Sequence, residues 1–366
     1  MSGLRTTIEA ALLRAVLGLP DPVLRALVRR PVELDGQRLD TEMQLLLLLQ
    51  RIAREPSMGD LTVESGRRRL TEQAGLVSGG QPIGAIRDLE VDGATGPLAA
   101  RLYVPTARLA DDAAPTLLFL HGGGWVHGDL ESHDGACRHL AEHSGVQVLA
   151  VDYRLAPEHP FPAGVDDAVA AYRWLVEHPE RVNADPARLA VGGDSAGGNL
   201  SALVALAAAR DNLPLAFQLL VYPATDFTAT TASRRLFADG FFLTAEAIEH
   251  YTAWYLPDEA ARKDPRASVL FADVPPGTAP ALVVTAGFDP LRDEGEAYAA
   301  RLADEGVPVE TLRCAGLIHG FFNMVSVGRA APEHNREIAD RLRTALACGN
   351  GGRRTPSSTD LSTGRD

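Results

Sequence analysis

Two glycine-rich strings carry the chemistry this chain can do: His121-Gly122-Gly123-Gly124-Trp125 and, further on, Gly193-Asp194-Ser195-Ala196-Gly197. Each follows an apolar run rich in strand formers, Pro115–Leu120 (PTLLFL) for the first and Ala187–Gly192 (ARLAVG) for the second. The second string opens onto Asn199–Ala209 (NLSALVALAAA), which reads as a helix. A serine on a sharp strand-to-helix turn between glycines is a nucleophile elbow, which holds the hydroxyl out over the strand ends. The glycines serve a strained turn that other backbone approaches closely. The triple-glycine loop offers bare backbone N–H groups beside it, so the pair predicts a nucleophile with an oxyanion hole. G-x-S-x-G alone is a weak signal; the strand before and the helix after supply its context.

A serine hydroxyl needs a base to take its proton, and the base needs a third group to orient it. On an elbow of this kind the chain order is Ser, then Asp or Glu, then His. Ala281–Ala286 (ALVVTA) is a strand pattern that runs through Gly287 and Phe288 into Asp289, which places that carboxylate at a strand's carboxyl end. Val309–Leu312 leads through Cys314–Ile318 to His319-Gly320-Phe321, which makes His319 the best base. His250 precedes the candidate acid, and His334 starts a helix with a surface pattern. Asp293 and Glu294 compete with Asp289, but they fall where the next helix begins, and acidic residues have an ordinary role there. The local string GDSAGG is similar to the G-D-S-G-G of chymotrypsin-like proteases. Ala196, however, separates the serine from its glycine pair, and this chain alternates strand and helix patterns where those proteases are all-β.

These residues need a sheet to position them. Strand patterns begin after the turn cluster Ser78–Pro82, at Ile86–Val91, Ala99–Val104, Thr116–Leu120 and Val146–Val151, and continue with the strand to Gly192 and with Ala216–Val221. Ala163–Glu177 and Pro332–Leu346 read as helices. The expected fold class is α/β, a mostly parallel central sheet flanked by helices. Residues 1–80 read as helical with breaks, including Val23–Val28 and Glu42–Ile52, and form an N-terminal helical segment; the short basic run Arg67–Arg69 reads as a solvated helix face. Residues 81–348 form the catalytic domain. Within it the β-signals vanish over residues 225–265, a stretch carrying Phe227, Phe237, Phe241, Phe242, Tyr251, Trp254 and Tyr255. That density reads either as a pocket-lining cap insertion or as core packing. Residues 349–366 are polar and rich in Gly, Ser and Thr, and read as a disordered tail.

The chain has 366 residues, 46% of them apolar, and a net charge of −13. That charge disfavours nucleic acid and anionic membrane surfaces as partners. Three scattered cysteines, Cys137, Cys314 and Cys348, form no C-x-x-C, and a reduced, cytoplasmic location fits them best. The N-terminus does not resemble a secretory signal, because Arg14 interrupts Ala10–Leu19 and no small-residue cleavage site follows. The run Leu45–Leu49 is far too short to span a bilayer and reads as a buried or partner-facing helix. No clustered His, Cys and carboxylate set points to a metal, and no cofactor is called for. The sequence leaves the oligomeric state open, a homo-oligomer included.

The chain resembles the hormone-sensitive-lipase-like branch of α/β-hydrolases, the bacterial family IV carboxylesterases. The matching strings are HGGGW (121–125), DYRLAPEHPFPA (152–163), GDSAGG (193–198), DPLRDEG (289–295) and HGF (319–321). The resemblance implies Ser195 as nucleophile, Asp289 as orienter and His319 as base, with Gly123, Gly124 and Ala196 as oxyanion donors. It implies that His121, with Gly122 and Asp194, supports the motifs rather than reacting, and that the helical cap is built from both the N-terminal helices and residues 225–265. The implied activity is hydrolysis of short- to medium-chain carboxylic esters, a small-molecule substrate class. Amide or lactone hydrolysis on the same residues is the alternative within enzymes. A non-catalytic ligand-binding member of the fold is the alternative outside them, and the retained His319 argues against it.

Overall fold

The structure, a computed structural model, describes residues 2–56, 61–111 and 113–347. Cys348 and the tail 349–366 lie outside the described residues. The N-terminal region forms α1 (Ser2–Leu17), α2 (Asp21–Val28), α3 (Thr41–Ala53) and α4 (Val63–Ser78). Between α2 and α3 the helical reading fails, and β1 (Glu33–Leu34) pairs antiparallel with β2 (Gln37–Arg38). Asp35 and Gly36 both take positive φ, 53° and 70°, the two-residue turn that an Asp-Gly pair favours.

The catalytic region contributes β3 (Ala85–Asp92), β4 (Pro97–Val104), β5 (Ala114–Leu120), β6 (Gln147–Val151), β7 (Ala184–Asp194), β8 (Phe217–Val221), β9 (Ala281–Phe288) and β10 (Val309–Ile318). They form one sheet in the order β10-β9-β8-β7-β5-β6-β4-β3. The six strands from β10 to β6 run parallel, while β4 runs antiparallel to both of its neighbours, β6 and β3. Every residue of β5, β6, β8 and β9 is buried, as parallel strands covered on both faces require.

The period-2 alternation of these strands makes two cores. Leu118, Leu120, Val191, Leu220 and Val283 face one layer, with α6 (Ala163–Glu177), α7 (Ala196–Arg210) and α10 (Arg292–Asp304). Their neighbours Leu117, Phe119, Ala190, Leu219 and Leu282 face the other, with α5 (Asp134–Ser144), α11 (Ala330–Ala347) and the N-terminal helices. The stretch 225–265 holds α8 (Ala232–Leu236) and α9 (Ala245–Tyr255). The hairpin is tied to the sheet ends: Gln37 Nε2 donates to Gly287 O (3.3 Å), and Asp40 N to Gly316 O (2.9 Å). The Arg67–Arg69 run is not a uniformly solvated face. Arg67 reaches into the loop region beneath it, and Arg69 pairs with Glu55 at 2.7 Å. Among the described residues no helix is long and apolar enough to cross a membrane.

His139, on α5 where it packs against α11, is 5% exposed, and among the described residues neither ring nitrogen has a hydrogen-bond partner. Burial, helped by His143 and Arg336, pushes its pKa down to about 4. The unfolded chain therefore takes up a proton here as pH falls below about 6.5, whereas the folded one does not until about 4. Stability is lost across that window, by up to about 3 kcal/mol from this site. Denaturant midpoints measured between pH 7 and 4 should show the loss, and His139→Leu should remove this site's share of it, while the share of other buried histidines such as His121 remains.

Candidate active site

The two glycine strings meet at the carboxyl ends of the parallel strands. Ser195 sits between β7 and α7 with φ 55° and ψ −116°, a strained conformation for a residue with a Cβ. Its N–H donates to Val221 O at 2.8 Å, which fixes the turn against β8. A Cβ on Gly193 would lie 2.2 Å from Leu120 O, and one on Gly197 1.8 Å from the same atom. Only glycine lets the elbow pass so close to the start of the glycine loop.

Asp289 and His319 follow β9 and β10 directly. His319 Nδ1 lies 2.7 Å from Asp289 Oδ2, and His319 Nε2 lies 2.9 Å from Ser195 Oγ. A carboxylate can only accept, so Nδ1 carries the proton, and Nε2 is free to accept from the serine hydroxyl. Asp289 is fully buried, and its other oxygen accepts from Leu291 N at 2.8 Å. The competing residues are engaged elsewhere. His250 and His334 each bond a carbonyl one turn back on their own helix. Asp293 accepts from Ser233 N and Arg292.

Glu294 does more than acidify a helix start. Fully buried, it accepts from Thr225 N (2.9 Å) and pairs with Arg234 (2.7 Å), tying the 225–265 stretch to the helix that follows Asp289. Burial pushes its carboxyl up to about 7, against the pull of Arg234.

In the glycine loop Gly123 and Gly124 take φ 123° and 64°. Among the described residues, the N–H groups of Gly123, Gly124 and Ala196 have no acceptor, and Ala196 opens α7, where helix donors are left over. Gly122 N donates to Asp194 Oδ1 (2.8 Å), Tyr222 OH reaches Asp194 Oδ2 (3.3 Å), and His133 Nε2 stands 3.2 Å from Oδ1. Burial alone would raise the Asp194 carboxyl; His133 and the Gly122 N–H outweigh it and hold it below the usual range. His121 is stacked on Tyr153 at 4.4 Å and bonds Gly122 O through Nδ1 (2.9 Å); burial pushes its pKa down to about 4, so it stays neutral. Sequence reasoning did not find His133, which lies in no glycine or strand-end motif, or Tyr222, which follows β8 with no chemical motif around it.

A cavity of about 910 Å³ opens over Ser195 and His319. Its walls come from the glycine loop, from α1, α3 and α4 (Leu13, Leu46, Leu49, Leu70) and from the 225–265 stretch (Phe227, Phe242, Tyr251). The aromatics of that stretch divide between pocket and core: Phe237 and Tyr255 are buried, and Tyr255 stacks on Trp125 at 4.6 Å. Among the described residues no group of three or more His, Cys, Asp or Glu could hold a metal ion.

The family model described as the alpha/beta hydrolase fold matches residues 117–323. The chain belongs to the α/β-hydrolase family, in its hormone-sensitive-lipase-like branch. It is 42% identical over 339 residues to a carboxylic ester hydrolase, LipN, of Mycobacterium tuberculosis, covering 90% of this chain and 89% of that one. An ethyl acetate hydrolase of Pseudomonas putida is 41% identical over 295 residues, 79% of this α/β-hydrolase and 92% of its own length. Among solved structures, the hyperthermophilic esterase of the archaeon Pyrobaculum calidifontis superposes with a TM-score of 0.80 at 35% identity, covering 85% of this chain and 99% of that one.

The backbone contact at Gly197 makes one outcome direct. Gly197→Ala would force a methyl into Leu120 O, and should cost about 3 kcal/mol or more, at or beyond the upper end of overpacking. Chemical denaturation of the variant would show an undiminished midpoint if the contact were not as close as described.

Proposed function

We propose that the protein is a serine carboxylesterase that hydrolyses short- to medium-chain carboxylic esters through an acyl-enzyme. The observation that carries this reading is the hydrogen-bonded line from Asp289 through His319 to Ser195 Oγ. Ser195 Oγ attacks the ester carbonyl while His319 Nε2 takes its proton. Asp289 holds the ring and stabilises the imidazolium. The oxyanion that forms sits among the N–H groups of Gly123, Gly124 and Ala196, fixed dipoles that need no reorganisation as charge develops. His319 then gives its proton to the departing alkoxide, and the alcohol leaves. Water, activated by the same ring, attacks the acyl-enzyme, and the carboxylic acid is released. No step calls for a cofactor. The complete Ser-His-Asp line argues against a binding-only role. The buried free thiols Cys137 and Cys314 support a reduced, cytoplasmic setting.

The reading is tested first at the triad. Ser195→Ala should lower kcat on nitrophenyl esters by about 10⁶-fold, and an organophosphate should label Ser195. Asp289→Asn should cost about 10⁴-fold, since the ring would lose its tautomer control, while Asp293→Asn stays far milder. A reversed order of these two would move the orienting role to Asp293.

Substrate range follows from the walls. We assign residues 1–80 and 225–265 to the cap over the strand ends. An apolar pocket of this volume gains up to about 0.8 kcal/mol per methylene until it is full. kcat/KM across an acyl series should climb, peak on the order of four to eight carbons, and then fall. A long-chain optimum with activation at a lipid interface would make the protein a lipase instead.

A further inference from the structure

Three consecutive glycines are the least self-restrained backbone a chain can offer, yet donors that stabilise charge must be held in place before it develops. The loop's internal bonds are few: Gly123 O accepts from Val126 N (3.3 Å) and His127 N (2.8 Å). On one side it is held by the elbow, through Asp194 and the Leu120 contact. On the other side α4 of the N-terminal segment meets Val126 to Asp129, the stretch that follows the glycines and Trp125. Arg67 Nε donates to Val126 O at 2.8 Å, and Arg67 Nη2 to Ala156 O at 3.0 Å, while Ala156 N in turn donates to Trp125 O at 2.8 Å. The remaining face of the guanidinium is taken by Glu158, at 2.9 and 2.7 Å. One residue earlier, α4 has Gly66, where a Cβ would lie 2.4 Å from the His127 ring. One turn later, Thr71 Oγ1 donates to Asp129 Oδ2 at 3.2 Å.

We infer that Arg67 is a positioning residue for the glycine loop, clasping it through the carbonyls of Val126 and Ala156, so that the N-terminal segment acts on the chemical step as well as on the shape of the pocket. The inference rests on the esterase reading above. Three features carry it. The fork of donors reaches two carbonyls and a carboxylate at once, which a lysine ammonium on the same stem cannot do. Both carbonyls belong to the loop pair that frames Trp125, the residue directly after Gly124. The helix lies close enough that a Cβ at position 66 would meet the buried His127 ring.

The test uses the full-length chain with a short nitrophenyl ester and an alkylboronic acid, whose tetrahedral adduct on Ser195 places an oxygen among the oxyanion donors. Arg67→Ala should lower kcat about 10- to 100-fold, the scale of a sub-ångström to ångström misplacement, with KM within about threefold. Boronate affinity should fall by a similar factor, and millimolar guanidinium should restore part of the rate. Arg67→Lys keeps the charge and the stem and guards against loss of the fold; it should show the same split between kcat and KM in a smaller degree. Glu158→Gln leaves both carbonyl bonds in place and should stay within about threefold of wild type. A folded Arg67→Lys and Arg67→Ala pair with wild-type kcat and boronate affinity would overturn the inference, as would a loss confined to KM. Wild-type protein without ester turnover or Ser195 labelling would instead overturn the esterase reading itself.

Discussion

The rest of the site depends on one backbone contact. Leu120 O, at the end of β5, is pressed against Gly193 and Gly197 on either side of the elbow serine. Leu120 and Gly193 are also register partners in the sheet. The turn that carries Ser195 and the triple-glycine loop, more than seventy positions apart, are therefore joined main chain to main chain. No rotamer intervenes, so their relative placement is as rigid as the sheet itself. The cost is the positive φ of Ser195, of order 1–3 kcal/mol. Fully buried strands on both sides offset it, since the turn cannot relax without disturbing β5, β7 and β8.

A buried polar cluster completes that joint. Asp194 is one residue from Ser195, and its carboxylate accepts from the first of the three glycines, Gly122. An unpaired carboxylate in that position would be costly. His133 and Tyr222 supply the remaining partners, from the residue that precedes α5 and from the end of β8. Asp194 is thus one of the links through which strain at the elbow is transmitted to the loop, and the same carboxylate that stabilises the joint would destabilise it if either partner were lost.

What was legible in the sequence is local. Ser195, Asp289 and His319 each stand where an apolar run stops, and the strand-end rule orders them without knowledge of the fold. The strands themselves were legible because parallel strands buried on both faces read as short continuous apolar runs. The hairpin at Glu33–Arg38 was not, although its Asp-Gly turn was present, because two-residue strands leave no periodicity between helices. Arg67 looked like surface because a helical arginine declares its charge and not its partners. Those partners are backbone carbonyls 59 and 89 positions away, which have no side-chain signature. His133 was missed, and Glu294 read only as an acidic helix start, for the same reason: burial of a polar group is visible only once the long-range contacts exist.

Glu294 shows how the covering elements and the reacting groups share supports. The turn that presents Asp289 runs straight into α10, and the first turn of α10 holds the 225–265 stretch twice. Asp293 takes Ser233 N, and Glu294 takes Thr225 N and Arg234. Phe237 of that stretch packs on Phe288, the residue immediately before Asp289. Tyr251, further along, occupies the space a Gly124 side chain would need. The insertion therefore touches the acid's strand end on one side and the glycine loop on the other, while α4 grips that loop from outside. A substrate entering the cavity meets walls anchored to the same backbone segments that hold Asp289 and the glycine loop. A change in wall packing therefore reaches the reacting groups through fewer than two turns of chain. On the proposed esterase reading, substrate choice and rate are set by one connected piece of structure, and a change in residues 225–265 alters both.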